Sequence, residues 1–275
     1  MSNRPVLLDG GAGTLLWNMA EQRGIEKKPT WTFNIEHPEL VEALCRHYID
    51  AGSEMIQTNT FSVNAESVKA LPGYTAADIV RAAVSIALKT AEGTGVKVYA
   101  SFGPPLEMLD PLGDMTEEDC AAMYDELCLA AAEAGATMIM LETFMDLRMM
   151  KIAAESALKS GLPVICSMTF FAGNRTMAGD SVEDICRVLG ELPIAGLGMN
   201  CSAGPVEALG IIRSFRENTS LPLYFKPNSG MGTTYSAQQF AEEVSPALDF
   251  VSYIGGCCGS DGSFIRAIKE QMDKE

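Results

Sequence analysis

The chain has 275 residues, and 47% of them are hydrophobic, so it can bury a large core. Its formal net charge of −16 would repel phosphate backbones and anionic lipid, and no cluster of Lys and Arg interrupts the acidic balance. These properties argue against nucleic acid and membrane-surface partners. The N-terminal sequence has no apolar signal-peptide core, and no uncharged apolar run approaches the roughly 18 residues that span a bilayer. We therefore expect a cytoplasmic protein.

Short apolar segments recur along the chain, and each ends in Gly, Asn or another polar residue before a longer segment with helical spacing. Eight of them are predicted strands, at residues 6–10, 55–60, 96–103, 138–143, 163–170, 194–201, 221–228 and 250–257. The predicted helices include residues 38–51, with an amphipathic apolar spacing, and 116–134, which opens on the capping-box-like Thr116-Glu-Glu-Asp119. The chain therefore repeats a strand followed by a helix.

Continuous apolar strands are typical of a parallel sheet that is buried on both faces. Eight such βα units in about 250 residues match a closed barrel. We predict an α/β fold, a single (β/α)8 TIM barrel that forms one domain over residues 1–275, with an open doubly wound sheet as the alternative. The Gly10-Gly-Ala-Gly13 segment lacks the full spacing of a dinucleotide-binding loop and its acidic partner, so we do not expect a dinucleotide cofactor.

The active site of a barrel of this kind lies at the C-terminal ends of its strands, so polar residues at those ends are the candidate site residues. They are Asp9, Asn59, Glu142, Asn200, Cys201, Asn228, Cys257 and Cys258. Strands six and eight lie on the same side of the barrel mouth, so three sulfurs can converge there on one metal. The alternative for the cysteine pair is a tight glycine-rich turn with two small buried side chains.

Zinc suits three thiolates because it is borderline-soft, and catalytic zinc sites keep one tetrahedral position open. A thiol at that position loses its proton and becomes a nucleophile at neutral pH. Water activation more often uses histidine, and the chain has only His37 and His47, so the composition favours alkyl transfer to sulfur. Structural zinc is the alternative, although no fourth ligand is evident. Small buried core residues are expected at Cys45, Cys120, Cys128, Cys166 and Cys186.

Five motifs resemble the homocysteine S-methyltransferase family in order and context. They are Asp9-Gly-Gly-Ala-Gly-Thr14, Thr58-Asn-Thr-Phe61, Glu142-Thr143 with Asp146-Leu-Arg148, Gly198-Met-Asn-Cys-Ser-Ala-Gly-Pro205 and Gly255-Gly-Cys-Cys-Gly259. The resemblance spans nearly the whole chain, and the last motif is specific to the family. Three further segments are most similar to the homocysteine-binding module at the N-terminus of cobalamin-dependent methionine synthases: Ser101-Phe-Gly-Pro104, Pro111-Leu-Gly-Asp114 and Arg175-Thr-Met-Ala-Gly179.

The resemblance implies a zinc-bearing barrel whose metal ligands are Cys201, Cys257 and Cys258. It also implies that Asp9 and Glu142 bind the amino group of homocysteine. Carboxylates at strand ends would attract an ammonium, although each of these two could instead cap the turn or helix that follows it. Asn59 and Asn200 are further candidates for substrate binding, and the alternative role of each amide is to satisfy loop backbone.

These features predict a zinc-dependent S-methyltransferase that methylates homocysteine, or a similar thiol, to methionine. The resemblance to cobalamin-dependent methionine synthases implies methylcobalamin as the methyl donor. Neither histidine stands in the Asp-x-His-x-x-Gly pattern that ligates cobalamin, so the corrinoid is expected on a separate protein. A methyltetrahydrofolate-type methyltransferase in trans is a further expected partner. S-methylmethionine, S-adenosylmethionine and betaine remain alternative donors.

Two interpretations from other functional classes also remain open. Lys226 ends a predicted strand and could form a Schiff base in a lyase, unless it is solvated or paired with a carboxylate. A zinc-storage protein would bind the metal without catalysing a reaction. Some of the 16 methionines could form an adaptable docking surface at the mouth, while the others fill core gaps.

Overall fold

The computed structural model of the protein describes residues 4–171, 173–201, 203–229 and 235–274. Its strands are β1 (Val6–Leu7), β2 (Met55–Gln57), β3 (Lys97–Phe102), β4 (Ile139–Phe144), β5 (Val164–Met168), β6 (Gly196–Cys201), β7 (Leu223–Pro227) and β8 (Tyr253–Ile254). Its α-helices are α1 (Gly13–Gln22), α2 (Phe33–Glu36), α3 (Pro38–Ala51), α4 (Ala76–Ala91), α5 (Glu117–Glu133), α6 (Leu147–Leu158), α7 (Val182–Leu189), α8 (Pro205–Asn218), α9 (Ala237–Val244) and α10 (Gly262–Met272). Turns of 3-10 helix lie at Thr30–Thr32, Ser67–Ala70 and Ser245–Ala247.

The strands form one parallel sheet in the order β1-β8-β7-β6-β5-β4-β3-β2, and the first strand of the chain pairs with the last. A doubly wound sheet would instead reverse its strand order at a switch point. The uninterrupted order, with a helix between successive strands, is that of a (β/α)8 TIM barrel. The predicted fold class is therefore confirmed, and the open-sheet alternative is wrong.

The seam between β1 and β2 is closed by side chains as well as backbone. Glu54 N donates to Leu7 O at 2.7 Å, and Leu7 N donates to the Glu54 carboxylate at 2.8 Å. Further along, Gln57 N donates to Asp9 Oδ2 at 2.6 Å. Carboxylate oxygens thus take the place of strand carbonyls, which satisfies N–H groups that an incomplete ladder would leave unpaired.

Alternate strand residues pack on the two sides of the sheet. One set joins the helices in the larger core, and the other fills the barrel interior, which contains Leu8, Met55, Tyr99, Met138, Met140, Ile165 and Tyr224. Two positions further along these strands, the inward residues become polar: Ser101, Glu142, Ser167 and Lys226 follow Tyr99, Met140, Ile165 and Tyr224. The apolar interior therefore ends in a buried polar layer at the C-terminal face.

Several strands are shorter than the sequence predicts. The segments predicted at residues 6–10 and 250–257 shrink to β1 and β8, of two residues each. Beyond these strands the backbone bonds irregularly: Gly256 N donates to Asp9 O at 3.2 Å and Cys257 N to Pro227 O at 2.9 Å. Several candidate residues therefore lie in loops that follow the strands.

The two predicted helices are confirmed as α3 and α5. Leu40, Val41, Leu44 and Tyr48 are buried on α3, as the apolar spacing predicts. Thr116 is the N-cap of α5, and its hydroxyl accepts a hydrogen bond from Asp119 N at 3.0 Å. Among the residues described, no helix has the length and apolar character that a membrane crossing requires. The cytoplasmic location stays a prediction.

Candidate metal and thiol site

A cavity of about 340 Å³ opens at the C-terminal face of the barrel. Its walls come from segments that are far apart in sequence, and they include Gly10, Gly11, Gly13, Asn59, Glu142, Asn200, Cys201, Lys226, Cys257 and Cys258. Asp9 and Asn228 are buried at the same face but are not among the lining residues. The barrel thus brings together most of the side chains that the sequence placed at strand ends.

The three cysteines form one cluster in this cavity. Their sulfurs all lie within 4.8 Å of one another, and Cys201 Sγ is 3.9 Å from Cys258 Sγ. Three sulfurs on a tetrahedral zinc with bonds of about 2.3 Å would stand about 3.8 Å apart. The cluster therefore fits zinc with little movement. Within the described ranges no further Cys, His, Asp or Glu joins it, so a tetrahedral ion held by these three sulfurs would have one position for another ligand.

Cys201 reaches the cluster through a strained backbone. Its φ is +61°, and Thr143, on the neighbouring wall, has φ +65°. Such left-handed conformations cost non-glycine residues about 1–3 kcal/mol and persist where the surroundings enforce them. Asn200 holds Thr143 in place, because its Oδ1 accepts from Thr143 N at 2.8 Å and its Nδ2 donates to Thr143 Oγ1 at 2.7 Å. The same Nδ2 lies 3.8 Å from Cys257 Sγ.

The loop after β8 presents the other two cysteines, and neighbouring segments hold it. Cys258 N donates to Asn228 Oδ1 at 3.1 Å, and Cys258 O accepts from Ser229 N at 3.0 Å. Ser260 Oγ donates to Cys257 O at 2.7 Å. These bonds fix where the backbone directs both side chains. Asn228 therefore supports the loop from outside the cavity.

The glycines after β1 are a functional feature whose role the sequence did not reveal. A Cβ at Gly11 would lie 2.7 Å from Cys257 O, and one at Gly10 would lie 2.8 Å from Ser260 O. Gly11 N also donates to Ser260 O at 2.9 Å. This segment therefore needs glycine because its backbone packs directly on the cysteine loop. The sequence signal was the pair itself, but its partner is more than 240 residues away in the chain.

Without a bound metal, both thiols of the cysteine loop resist ionisation. The hydrogen bond with the Cys201 thiol and burial raise the pKa of Cys257 to about 12, although Cys258 and Lys226 act in the opposite direction. The hydrogen bond with Cys201 lowers the pKa of Cys258, but Cys257 and burial bring it to about 11. Thiolates are the form that binds metal, so zinc would displace these protons.

The other five cysteines are buried, as expected of core residues: Cys45, Cys120, Cys128, Cys166 and Cys186. The two histidines also lie away from the cavity. His37 contacts Glu39 at 3.3 Å, and His47 Nε2 accepts from Gly262 N at 2.8 Å. The chain therefore presents sulfur, not imidazole, at the barrel mouth.

Glu142 projects into the cavity from β4 and is only 3% exposed. Its Oε1 accepts from Ser101 Oγ and its Oε2 from Tyr224 OH, both at 2.7 Å. A carboxylate has about four lone-pair positions, so two are left for a ligand. Burial and the adjacent Glu142 raise the pKa of the Tyr224 phenol well above its ordinary value, which keeps the phenol a donor.

Lys226 is paired with a carboxylate. Its Nζ donates to Asp9 Oδ1 at 2.9 Å and to Tyr99 OH at 3.0 Å, and the side chain is almost fully buried. Burial alone would lower the pKa of Lys226, but Asp9, Glu142 and Cys257 outweigh it and raise the pKa above its ordinary value. A Schiff-base lyase needs a neutral amine as nucleophile. The geometry therefore argues against that interpretation.

Asn59 lines the cavity, and its amide already has protein partners. Its Nδ2 donates to Thr30 O at 2.7 Å and to Asn34 Oδ1 at 3.0 Å. Asn59 and Asn200 thus both satisfy neighbouring backbone, which is the alternative role the sequence left open. Their contact with substrate stays a prediction.

Comparison with known proteins is consistent with this geometry. The model of the family described as homocysteine S-methyltransferase matches residues 6–272. The chain belongs to the homocysteine S-methyltransferase family. The match covers nearly the whole barrel and includes all three cysteines and both candidate carboxylates. Membership in this family supports an enzyme that transfers methyl groups.

Two curated relatives of the chain are named methionine synthase. The one from Mycobacterium tuberculosis (strain ATCC 25618 / H37Rv) is 27% identical in an alignment of 299 positions that covers 98% of this chain and 24% of the relative. The one from Mycobacterium leprae (strain TN) is 26% identical over the same length and the same shares. The chain therefore spans about a quarter of the length of these relatives.

Among solved structures, the chain resembles the homocysteine methyltransferase MmuM from Escherichia coli. Its oxidized form superposes with a TM-score of 0.83 at 23% identity, covering 97% of this chain and 96% of that one. Its metallated form gives a TM-score of 0.82 at 23% identity and covers 98% and 96%. At this identity the likeness shows a shared fold.

Proposed function

We propose that this barrel is a zinc-dependent methyltransferase that methylates homocysteine, or a closely similar thiol, to methionine. The observation that carries the proposal is the cluster of three sulfurs at the mouth of a cavity with a buried carboxylate in its wall. In the proposed site Cys201, Cys257 and Cys258 hold the metal. MmuM, which shares this fold, has a metallated form, and this supports a bound metal in the present chain.

When bound, the zinc would supply a Lewis acid that lowers the pKa of a thiol at its open position. The residues of the chain would hold the metal and orient the substrate. Asn200 and Asn228 hold the loops that direct the cysteines, so the ligand geometry is set before the metal arrives. The strained backbone of Cys201 is maintained for the same purpose.

The cavity walls suit the two charged groups of an amino-acid thiol. The Glu142 carboxylate faces the cavity and would bind the ammonium. The N-terminus of α1 also lines the cavity at Gly13 and Thr14, and the first N–H groups of a helix have no intrahelical acceptor. These groups and the positive end of the helix dipole favour a carboxylate. A substrate held at both ends would have its sulfur directed toward the cysteines.

The methyl donor in this proposal is methylcobalamin on a separate corrinoid protein, with a methyltetrahydrofolate-type methyltransferase as the further partner. The substrate sulfur would attack the methyl carbon in line, and the donor would leave with the bonding electrons. Large apolar side chains are exposed on loops after β2, β3 and β5, which surround the mouth: Phe61, Leu106, Met108, Leu112, Phe171 and Met177. An apolar rim of this kind suits a protein partner. It includes Met108 and Met177, and the flexible thioether side chain of methionine adapts to a partner surface.

A donor panel tests this function. Zinc-loaded protein and homocysteine are mixed with methylcobalamin, S-methylmethionine, S-adenosylmethionine or betaine, each carrying an isotopically labelled methyl group, and labelled methionine is measured by mass spectrometry. We expect transfer from methylcobalamin and dependence on zinc. The control is Cys166→Ala, a substitution in the core away from the cavity, which should leave the transfer intact.

Transfer from another donor alone would redirect the proposal to that donor while keeping the thiol chemistry. Equal transfer by metal-free protein would contradict the role of zinc. If no donor yields methionine although the protein binds zinc and homocysteine, the chain is a binding module and not a methyltransferase.

A further inference from the structure

Two carboxylates and one amine are buried around the inner end of the cavity. Asp9 and Lys226 are each 1% exposed, and Glu142 is 3% exposed. They come from β4, β7 and the loop after β1, so the sequence alone does not tell which of them are paired. The pairing decides which carboxylate is available to a ligand.

The carboxylate of Asp9 is committed to the protein. Its Oδ1 accepts from Lys226 Nζ at 2.9 Å and from Tyr99 OH at 2.7 Å, and its Oδ2 accepts from Gln57 N at 2.6 Å. These bonds join the end of β1 to β7, β3 and β2. A buried charge with an opposite charge at this distance is largely offset. Asp9 is also absent from the lining of the cavity.

Glu142 differs from Asp9 in its partners and in its contact with the cavity. It lines the cavity, and the partners of its carboxylate are two neutral hydroxyls, those of Ser101 and Tyr224. In the described part of the chain, no lysine or arginine forms an ion pair with it. Lys226 acts on Glu142 only from beyond contact, and a buried carboxylate that no cation contacts is costly, so a cationic group of the ligand would be favoured beside it.

The position of Lys226 also makes Asp9 a poorer partner for a ligand ammonium than Glu142. Its side chain contributes to the cavity wall, so a ligand ammonium close to Asp9 would also be close to the ammonium of Lys226. Like charges in a buried site repel strongly. The favourable place for a ligand ammonium is therefore beside Glu142.

We propose that Lys226 is a specificity-determining residue, because it withdraws Asp9 from substrate recognition and leaves Glu142 as the single carboxylate that binds the ammonium of a thiol amino acid. This inference rests on the proposed function, and it changes the role expected of Asp9 from substrate binding to holding the strands around the cavity. The site selects α-amino thiols through one ion pair.

Two thiols that differ only in the amino group test this inference: L-homocysteine and 4-mercaptobutyrate. Their dissociation constants are measured by calorimetry on zinc-loaded protein, so the readout does not depend on a methyl donor. The ratio of the two constants is the preference for the amino group. We expect the unmodified protein to prefer homocysteine by about tenfold or more, in line with a charged hydrogen bond.

Three variants separate the carboxylates. Glu142→Gln should abolish most of the preference, while the charge-neutral double variant Asp9→Asn with Lys226→Met should retain it. Lys226→Met alone should raise the preference, because it exposes the charge of Asp9. If that single variant does not fold, the double variant still decides whether Asp9 takes part, since replacing both members of a buried pair is tolerated far better than removing one.

A double variant that loses the preference as completely as Glu142→Gln would overturn the inference, because Asp9 would then bind the ammonium. So would an unchanged preference in Glu142→Gln, or in a folded Lys226→Met variant. Failure of the zinc-loaded protein to bind either thiol is a different result, which would overturn the proposed function itself.

Discussion

Cys257 is the residue on which the proposed metal site depends most. It is hydrogen-bonded through its sulfur to neighbouring thiols, lies 3.8 Å from the Asn200 amide, and has its backbone N–H bonded to Pro227 O. Replacing its sulfur with a serine hydroxyl removes a soft ligand while leaving the loop intact. We expect Cys257→Ser to lose zinc and thiol binding together.

Zinc content per chain after dialysis against a weak chelator checks this prediction. Cys166→Ala is the matched control, because Cys166 is buried on β5 within the core between strands and helices. The control should retain about one zinc per chain, as a single structural or catalytic site requires. Undiminished zinc in Cys257→Ser would show that the metal lies elsewhere.

At this scale the sequence predicted the placement of the cysteines and Glu142 at the barrel mouth, since each comes at or just after an apolar strand, while their roles stay predictions. It did not predict the pairing of Lys226 with Asp9, two residues that are 217 positions apart. That contact exists because β1 and β7 both flank β8 in the closed barrel. Which amine pairs with which carboxylate depends on how the barrel closes, and no local sequence pattern predicts that pairing.

At the scale of elements, the contact between the turn before α1 and the cysteine loop can be tested with two glycines. A Cβ at Gly11 would lie 2.7 Å from Cys257 O, whereas a Cβ at Gly13 would meet nothing within 4 Å. Gly11→Ala should therefore displace the cysteine loop, at a cost of about 1–3 kcal/mol. Gly13→Ala adds alanine to the first turn of a helix and should be neutral or slightly stabilising.

Melting temperature and zinc retention of the two variants check this pair of predictions. We expect Gly11→Ala to melt at a lower temperature and to lose zinc, and Gly13→Ala to keep the melting temperature and the zinc content of the unmodified protein. Equal behaviour of the two variants would mean that the close approach of the two backbones has no bearing on the metal site.

The contact between α3 and α10 should depend on pH. His47 Nε2 on α3 accepts a hydrogen bond from Gly262 N, the first residue of α10, and an imidazole can accept only when neutral. Partial burial lowers the pKa of His47 below its ordinary value of about 6.5, although Asp261 acts against this. Because the unfolded chain binds the proton more tightly, the stabilisation is complete above pH 6.5 and is lost as the pH falls below it.

Urea unfolding at pH 7.5 and pH 5.5 measures this loss, which should not exceed about 1 kcal/mol because the imidazole is only partly buried. His47→Gln offers a carbonyl acceptor that does not titrate, so its unfolding free energy should change less between the two pH values. An identical pH dependence in both proteins would remove His47 as the cause.

The existence and order of the elements were predictable because apolar runs alternate with helical spacing along the whole chain. The ends of the elements were less predictable, and the short strands β1 and β8 show the reason. Asp9 and Gly256 lie within the predicted strands 6–10 and 250–257 but beyond β1 and β8, and they bond to each other, with Gly256 N donating to Asp9 O at 3.2 Å. Strand ends are decided by the tertiary contacts of the mouth, where the site is built.

At the scale of the whole molecule, closure of the barrel requires both ends of the chain. Strand β1 pairs with β8, and α10 packs against α3 and α9. We infer that residues 1–275 form one domain, as the sequence predicted, because removing either end would open the sheet. The count of eight βα units was enough to predict the barrel, but not the carboxylate-bridged seam between β1 and β2.

At the mouth of the barrel, we propose, three sulfurs bind a zinc ion and a fourth coordination position is left for a thiol substrate. X-ray absorption at the zinc edge, with and without homocysteine, tests it most directly. We expect three sulfur neighbours from the protein at about 2.3 Å and one more sulfur when homocysteine is added. An unchanged number of sulfur neighbours on addition of homocysteine would contradict this account.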